Sequence, residues 1–177
     1  MAGVKLELGA VAGLPFARGF RETDFTGTIV DRTRYLAVLT AQAIVKGNLA
    51  VDANALYKPL RAGSPAANVQ TPFSVLTWQF PVLAKYYWTR PAWTPFAEAG
   101  PSFRLAGNLN GYNPSHYGIT AGGGVATRTH GLKLGPALRY TRWTRDHPPL
   151  YAPRPGVPFD YSHTNANAVD LVFRVSF

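Results

Sequence analysis

Three side chains with the chemistry of a hydrolytic enzyme lie close together near the C-terminus of this 177-residue chain: Asp160, Ser162 and His163. A nucleophilic serine needs a histidine base and a carboxylate that orients the histidine. Residues this close in sequence rarely reach that geometry, and an Asp-x-Ser-His segment is more typical of a turn. The sequence therefore predicts no catalytic residue, and we expect a protein that is not an enzyme.

Candidates for metal or cofactor chemistry are weaker still. The chain has no cysteine, which excludes disulfides, iron–sulfur clusters and thiolate metal sites. The glycine run at 122–124 lacks a strand-to-helix context and a following Lys-Ser or Lys-Thr, so it is not a phosphate loop. Four histidines lack the spacing of metal ligands: His116, His130, His147 and His163. We expect neither a metal nor an organic cofactor.

Charged side chains that alternate with apolar ones are the strongest chemical feature of the sequence. On one face of alternating segments, eight are basic and four acidic: Lys5, Glu7, Asp52, Lys58, Lys85, Glu98, Arg104, Arg128, Lys133, Arg139, Asp170 and Arg174. Buried charges are tolerated when they are paired and hydrogen-bonded. The set predicts either a salt-bridged plug with Glu7, Asp52, Glu98 and Asp170 as hubs, or a narrow path that prefers anions because of the basic excess.

The segments that carry these charges have the two-residue period of β-strands with one apolar and one polar face. Eight strands are predicted, at residues 4–10, 34–45, 49–58, 73–88, 93–105, 117–128, 132–141 and 167–177. The last segment is the clearest, because Val169, Leu171, Phe173, Val175 and Phe177 alternate with mostly polar residues up to the C-terminus. An apolar strand of this kind at a sheet edge would invite aggregation.

The connections between the predicted strands alternate in length. Short turns fall at 46–48, 89–92 and 129–131, and long loops at 14–33, 59–72, 106–116 and 144–166. Short connections on one side and long ones on the other are typical of transmembrane barrels. The sequence thus predicts a single all-β domain over residues 1–177. We expect an eight-stranded antiparallel up-and-down transmembrane β-barrel with three short turns and four long loops, in which the last strand pairs with residues 4–10.

The composition agrees with a barrel in a membrane. Hydrophobic residues make up 46% of the chain and charged residues 15%, whereas soluble domains carry about 25% charged residues. No window has the roughly 18 consecutive apolar residues of a transmembrane helix. The net charge of +9 comes from basic residues scattered singly along the chain, which argues against a nucleic-acid partner.

Several segments carry a family resemblance: VDANALYKPL, WQFPVLAKYYW, RPAWTPFAEAGPSFRLAG, GGGVATR, GLKLGPALRYTRW and LVFRVSF. Over strands three to eight the chain resembles the small outer-membrane β-barrel domain family, which is broadly similar to OmpA-like transmembrane domains. The resemblance implies a bacterial outer-membrane location but no single activity. It also implies that barrel-assembly machinery recognises the terminal strand, with Phe173, Val175 and Phe177 as the assembly signal. Residues 1–5 lack the features of a signal peptide, so we expect one that is absent from this chain.

Aromatic residues near the predicted strand ends suggest interface girdles: Tyr35, Tyr57, Tyr87, Trp88, Trp93, Tyr117, Tyr140 and Trp143. Arginines lie in or beside the long loops: Arg18, Arg21, Arg32, Arg61, Arg142, Arg145 and Arg154. The planar guanidinium binds two oxyanion oxygens at once. These arginines therefore predict contacts with lipopolysaccharide phosphates or with a protein partner, although solvated loop charges are the more ordinary explanation.

The favoured function is that of a non-enzymatic outer-membrane barrel with a filled polar interior, acting as a structural or surface-interaction protein. Two alternatives stay open. The apolar walls of the barrel could pack against copies of the same chain in an ordered array or tube, or the interior could conduct anions. A soluble ligand-binding barrel would require the opposite orientation, with Val169, Leu171 and Phe173 facing inward.

Overall fold

The computed structural model describes residues 5–20, 36–62, 73–88, 93–107, 113–148, 150 and 163–177, without the side chains of residues 61, 62, 73 and 74. It contains eight strands: β1 Lys5–Pro15, β2 Leu36–Lys46, β3 Leu49–Ala62, β4 Phe73–Tyr87, β5 Thr94–Gly107, β6 Tyr117–Thr129, β7 Leu132–Trp143 and β8 Asn167–Ser176. Within these ranges, no helix is long and apolar enough to cross a membrane.

The strands form one closed barrel in sequence order. Each strand pairs antiparallel with its neighbours along the chain, and β8 pairs with β1 to close the sheet. Closure satisfies the backbone groups of what would otherwise be two open edges. The predicted fold class, an eight-stranded antiparallel up-and-down barrel, is confirmed. The connections follow the predicted alternation, short after β2, β4 and β6 and long after β1, β3, β5 and β7.

The predicted pairing of the two terminal strands was wrong in register. β8 pairs with residues 9–15 of β1, from Gly9 opposite Ser176 to Pro15 opposite Asp170, so that only the last two residues of the predicted segment 4–10 belong to this ladder. On its other side, β1 pairs with β2 from Lys5 opposite Ile44 to Gly13 opposite Leu36. This offset is the stagger that tilted strands need to close a barrel, and for the same reason β1 extends five residues beyond its predicted end at residue 10.

Burial alternates along the strands as the two-residue period predicts. In β8, Asp170, Val172 and Arg174 are buried, whereas Phe173 is 51% exposed. The polar face therefore points into the barrel and the apolar face points outward. Large apolar side chains on the outer wall include Leu6, Leu8, Leu39, Val51, Val82, Leu105, Ile119, Leu138, Phe173 and Val175. This orientation excludes the soluble ligand-binding barrel, which required these faces to be reversed.

Aromatic side chains lie on the outer wall at two levels. Toward the long loops are Tyr57, Trp78, Phe103, Tyr117 and Tyr140, and toward the short turns are Tyr86, Trp88, Trp93 and Phe177. Neighbouring members contact each other, as in the pair of Tyr57 and Trp78, whose ring centroids are 5.4 Å apart. Two residues predicted for the girdles, Tyr87 and Trp143, point into the barrel instead. Tyr35 lies outside the described residues.

The interior is less uniformly polar than predicted. A cluster of buried apolar side chains fills part of it: Val11, Leu36, Val38, Leu56, Phe96, Ala126, Ala137 and Val172. Tyr87 packs against this cluster, and its hydroxyl donates a hydrogen bond of 2.8 Å to the amide oxygen of Gln42. Lys85 points inward on β4, and Tyr87 lies two residues further along the same strand. The two-residue period therefore places Tyr87 inside the barrel and not on its outer wall.

Candidate functional site: the charged barrel interior

The middle of the barrel holds a network of five buried charges. The ammonium group of Lys85 lies 2.8 Å from a carboxylate oxygen of Asp52 and 3.0 Å from one of Glu98. Arg139 contacts both oxygens of Glu98, at 2.6 and 3.3 Å. Arg174 donates to Asp52 at 2.9 Å. Each carboxylate therefore has at least two cationic partners, as buried charges require.

A glycine on β6 allows residues of β5 and β7, which are not neighbouring strands, to form one of the ion pairs of this network. Glu98 on β5 and Arg139 on β7 both lie opposite Gly122 on β6, which separates them. A side chain at residue 122 would meet Arg139, because a Cβ there would lie 3.2 Å from the Cγ of that arginine. The missing side chain leaves room for the ion pair to cross the inner face of β6. Gly122, the first residue of the glycine run at 122–124, thus makes space for bulky neighbours inside the barrel.

The end of the barrel near the short turns is more open. Glu7 contacts Arg128 at 3.3 Å, Lys133 at 3.5 Å and Lys5 at 3.7 Å. The side chains of Lys5 and Arg128 are each 60% exposed, so solvent weakens these ion pairs. A cavity of about 110 Å³ lies beside this cluster and reaches Phe177.

The opposite end is closed by a buried arginine and the bases of the loops. The guanidinium of Arg104 donates to the carbonyl and the hydroxyl oxygen of Ser115, both at 2.8 Å, and lies 3.5 Å from a carboxylate oxygen of Asp146. It also stacks on the ring of Trp143, 4.5 Å from the ring centroid. Asp146 in turn accepts hydrogen bonds from the backbone and hydroxyl of Thr164.

Contacts between the first and last loops also lie at this end. Phe20 forms an isolated antiparallel bridge with Thr164. The backbone N–H of Asn165 donates to the carbonyl of Gly19 at 2.9 Å. Phe20 is 1% exposed, so an aromatic side chain from the first loop is buried at this end. We refer to Arg104, Ser115, Asp146 and Thr164, together with Phe20, as the loop-side cap.

Described side chains fill much of the middle of the barrel. Below the loop-side cap, Lys58 and Asp170 form a buried pair at 2.7 Å, separate from the other ion pairs of the described residues. A cavity between the apolar cluster and the central charges measures about 20 Å³, which is enough for one water molecule. An eight-stranded barrel is only wide enough for side chains to fill it, and the described interior has that form.

Comparison with solved structures agrees with this architecture. Over 97% of its length the chain matches 94% of the outer membrane protein OprG from Pseudomonas aeruginosa, with 12% identity and a TM-score of 0.66. It also matches Neisserial surface protein A, with 99% of each chain covered, 13% identity and a TM-score of 0.57. The chain has the fold of the small outer-membrane β-barrels. No protein-family model and no curated protein matches the sequence.

In this outer-membrane barrel fold, all twelve charged residues predicted for the interior point to its inner side or to its two mouths. They do not form one network. The structure divides them into the cluster at Glu7, the central five, the pair of Lys58 and Asp170, and Arg104 in the loop-side cap. Asp146 and Ser115 were not predicted, because both lie outside the strands, where the two-residue period carries no information.

Trp143 was misassigned to the outer wall, although the sequence contained the signal for its true position. Arg139 and Thr141 point inward on β7, and the same period places Trp143 inside, where it stacks on Arg104. The outward residues of the proposed assembly signal are exposed, with Phe177 at 73% and Val175 at 42%. The backbone N–H of Phe177 donates to the carbonyl of Leu8 at 3.0 Å.

The loop arginines are only partly described. Arg142 and Arg145 are exposed at the loop end of β7, and Arg18 follows β1. The side chain of Arg61 and the whole of Arg21, Arg32 and Arg154 lie outside the described residues, as do Asp160 and Ser162. The rings of His116 and His147 lie 5.1 Å apart, but no group of three or more possible metal ligands occurs in the described ranges.

The central network makes a testable prediction about stability. Replacing Lys85 by Met should lower the free energy of unfolding by about 1.5–3 kcal/mol, because Asp52 and Glu98 each lose a charge-assisted hydrogen bond but keep an arginine partner. Lys5→Met removes the same group from an exposed pair and should cost about 0–1 kcal/mol. Urea unfolding in detergent micelles, followed by tryptophan fluorescence, measures both. Equal unfolding midpoints for the two variants would contradict a structural role for the shared ammonium group.

Proposed function

We propose that this chain is a non-enzymatic barrel of the bacterial outer membrane, with a filled interior, that acts as a structural or surface-interaction protein. The observation that supports this best is the combination of an apolar outer wall with a charged, side-chain-filled interior. A wall of this kind needs an apolar cover, and a closed barrel can enter lipid because it leaves no open sheet edge.

The two aromatic levels favour lipid as that cover. Aromatic side chains prefer the two interfaces of a bilayer, where an apolar ring and a polar edge are both accommodated. Here one level lies near the long loops and the other near the short turns, with aliphatic residues such as Val82 and Leu138 between them. A wall that packed against copies of the same chain would have no reason to sort its aromatics by height. Self-assembly into an array or tube is therefore the weaker proposal.

The interior favours a closed barrel over an anion channel. The basic excess that suggested a channel is greatest at the turn-side mouth, where Lys5, Arg128 and Lys133 surround the single acid Glu7. At the centre, the cations are engaged by Asp52 and Glu98. An anion moving through the barrel would have to displace these carboxylates. A narrow anion-preferring channel is the second candidate, supported by the net positive charge alone.

The loop side is where we propose that contacts with other molecules are made. Exposed arginines at the loop end suit the phosphate groups of lipopolysaccharide or an acidic partner, and nothing in the charge pattern favours nucleic acid. The exposed terminal Phe177, with Phe173 and Val175 on the same face, would be read by the barrel-assembly machinery before the strand closes. Both contacts are proposals that the barrel fold makes sterically possible.

Insertion into lipid can be tested with charges placed at two heights on the outer wall. Val82 lies midway between Trp78 and Tyr86, so Val82→Arg should lower the free energy of unfolding in phosphatidylcholine vesicles by about 2–4 kcal/mol. Val45→Arg, next to a short turn, should cost only about 0–1 kcal/mol. Urea titration of vesicle-bound protein measures the difference. Equal costs at the two positions would mean that the wall does not face a bilayer.

Closure of the interior can be tested in planar lipid bilayers. Because side chains fill the barrel, the wild-type protein should insert without producing stepwise conductance. Insertion is verified separately by a heat-dependent shift in electrophoretic mobility. Anion-selective steps that become smaller in Lys133→Gln would instead support the channel and overturn the closed barrel.

The assembly role of Phe177 can be tested in cells of a Gram-negative bacterium. Phe177→Ser should reduce the amount of folded protein in the outer-membrane fraction several-fold, while refolding of the purified variant in detergent stays unchanged. Phe16→Ser, which removes an exposed phenylalanine at the loop end, is the matched control. Similar losses for both variants would show that the terminal position has no special role.

A further inference from the structure

A large groove lies at the loop end of β6, β7 and β8, where the outer wall meets the base of the last loop. Its volume is about 950 Å³, in the range of sites for small molecules. Outward residues of the wall form one side of it, and residues that follow β7 form the other. The described lining includes Tyr117, Ile119, Arg142, Thr144, Arg145 and Asp146.

Arg142 is the unusual member of this lining, because it is a cation on the outward face of the wall. It lies two residues beyond Tyr140 on β7, about 6.8 Å further along the strand, and so at the outer edge of the loop-side aromatic level. One of its guanidinium nitrogens donates to the side-chain oxygen of Asn167 at 2.6 Å. The hydroxyl of Tyr140 donates to the same oxygen, also at 2.6 Å.

This arrangement fixes the position of the guanidinium, and none of the described residues neutralises its charge. Asn167 is an amide, and its own backbone N–H is bound by the side chain of Asn165. Among the described residues, no carboxylate forms an ion pair with Arg142 or Arg145. A guanidinium has five N–H donors, so Arg142 keeps a free fork for an oxyanion. Asp146, the acid in the described lining, is occupied by Thr164, Ser115 and Arg104.

The wall below the two arginines is apolar. Ile119 lies directly opposite Arg142 in the β6–β7 ladder and is 68% exposed. Tyr117 is 60% exposed and contacts Phe103 edge to face, with ring centroids 6.0 Å apart. An apolar surface continuous with a pair of unneutralised arginines matches an amphiphile that has a phosphorylated head and acyl chains. A free phosphate would use only the arginines.

We propose that this groove binds the phosphorylated headgroup of an outer-leaflet glycolipid such as lipopolysaccharide. Arg142 and Arg145 bind the phosphate, and the wall at Tyr117 and Ile119 contacts an acyl chain. The inference rests on the proposed membrane location and deepens it, because it names the lipid class and assigns the contact to two of the seven loop arginines. Bidentate phosphate binding by arginine supplies the specificity.

Native mass spectrometry of the detergent-solubilised full chain tests this with diphosphorylated lipid A as the probe. The wild type should retain lipid A, and Arg142→Gln combined with Arg145→Gln should weaken its apparent affinity by about tenfold, as expected for the loss of charge-assisted hydrogen bonds. Arg128→Gln, the matched control at the turn-side mouth, should change the affinity by less than about twofold. Arg142→Lys in place of Arg142→Gln should restore part of the binding, because it keeps the charge but not the fork.

Competitors and folding assays separate the alternatives. Lipid A without its phosphates should bind weakly, and excess inorganic phosphate should compete poorly because it lacks acyl chains. Equal binding of the phosphorylated and dephosphorylated lipids, or full competition by phosphate, would overturn the proposal. So would a protein dimer that the double variant abolishes, since the groove would then hold a second copy. If the wild type fails to insert into vesicles at all, the proposed membrane function fails first.

Discussion

The ammonium group of Lys85, shared between Asp52 and Glu98, is the interaction on which the rest of the barrel depends. Eight strands enclose a space that admits side chains but little solvent, and the apolar outer wall leaves the inner face as the only place for the polar half of each strand. Charges on that face must therefore be paired with opposite charges. The network does this with residues from five strands, so that strand order, register and stagger must all be correct before it can form.

The two ends of the barrel stabilise their charged side chains in different ways. At the turn side, Glu7 is surrounded by cations that are largely exposed, and water supplies much of their solvation. At the loop side, Arg104 is buried and depends on Asp146, Ser115 and the ring of Trp143. The loop-side end is thus built from long-range contacts between loops, and the residues available to outside molecules lie around its rim.

Much of this fold could be predicted from the sequence, because one physical rule governs most of it. A strand between lipid and a polar interior must alternate, so the eight strands and the inward position of each charged residue followed from a period of two. Tyr87 and Trp143 were predicted on the outer wall because they lie near strand ends, but the two-residue period places both inside the barrel. The register of β8 against β1 and the partner of Arg104 were not predictable, since stagger is fixed only by closure and Asp146 lies in a loop.

The bridge between Phe20 and Thr164 has a consequence for how the molecule matures. It joins segments from the two ends of the sequence, and Asn165 reinforces it by donating to Gly19. These contacts cannot form until the last strand has paired with the first. Burial of the Phe20 ring therefore requires a closed barrel. Before that moment, the bridge cannot cover the same ring, so an unfinished barrel leaves this apolar group accessible to solvent.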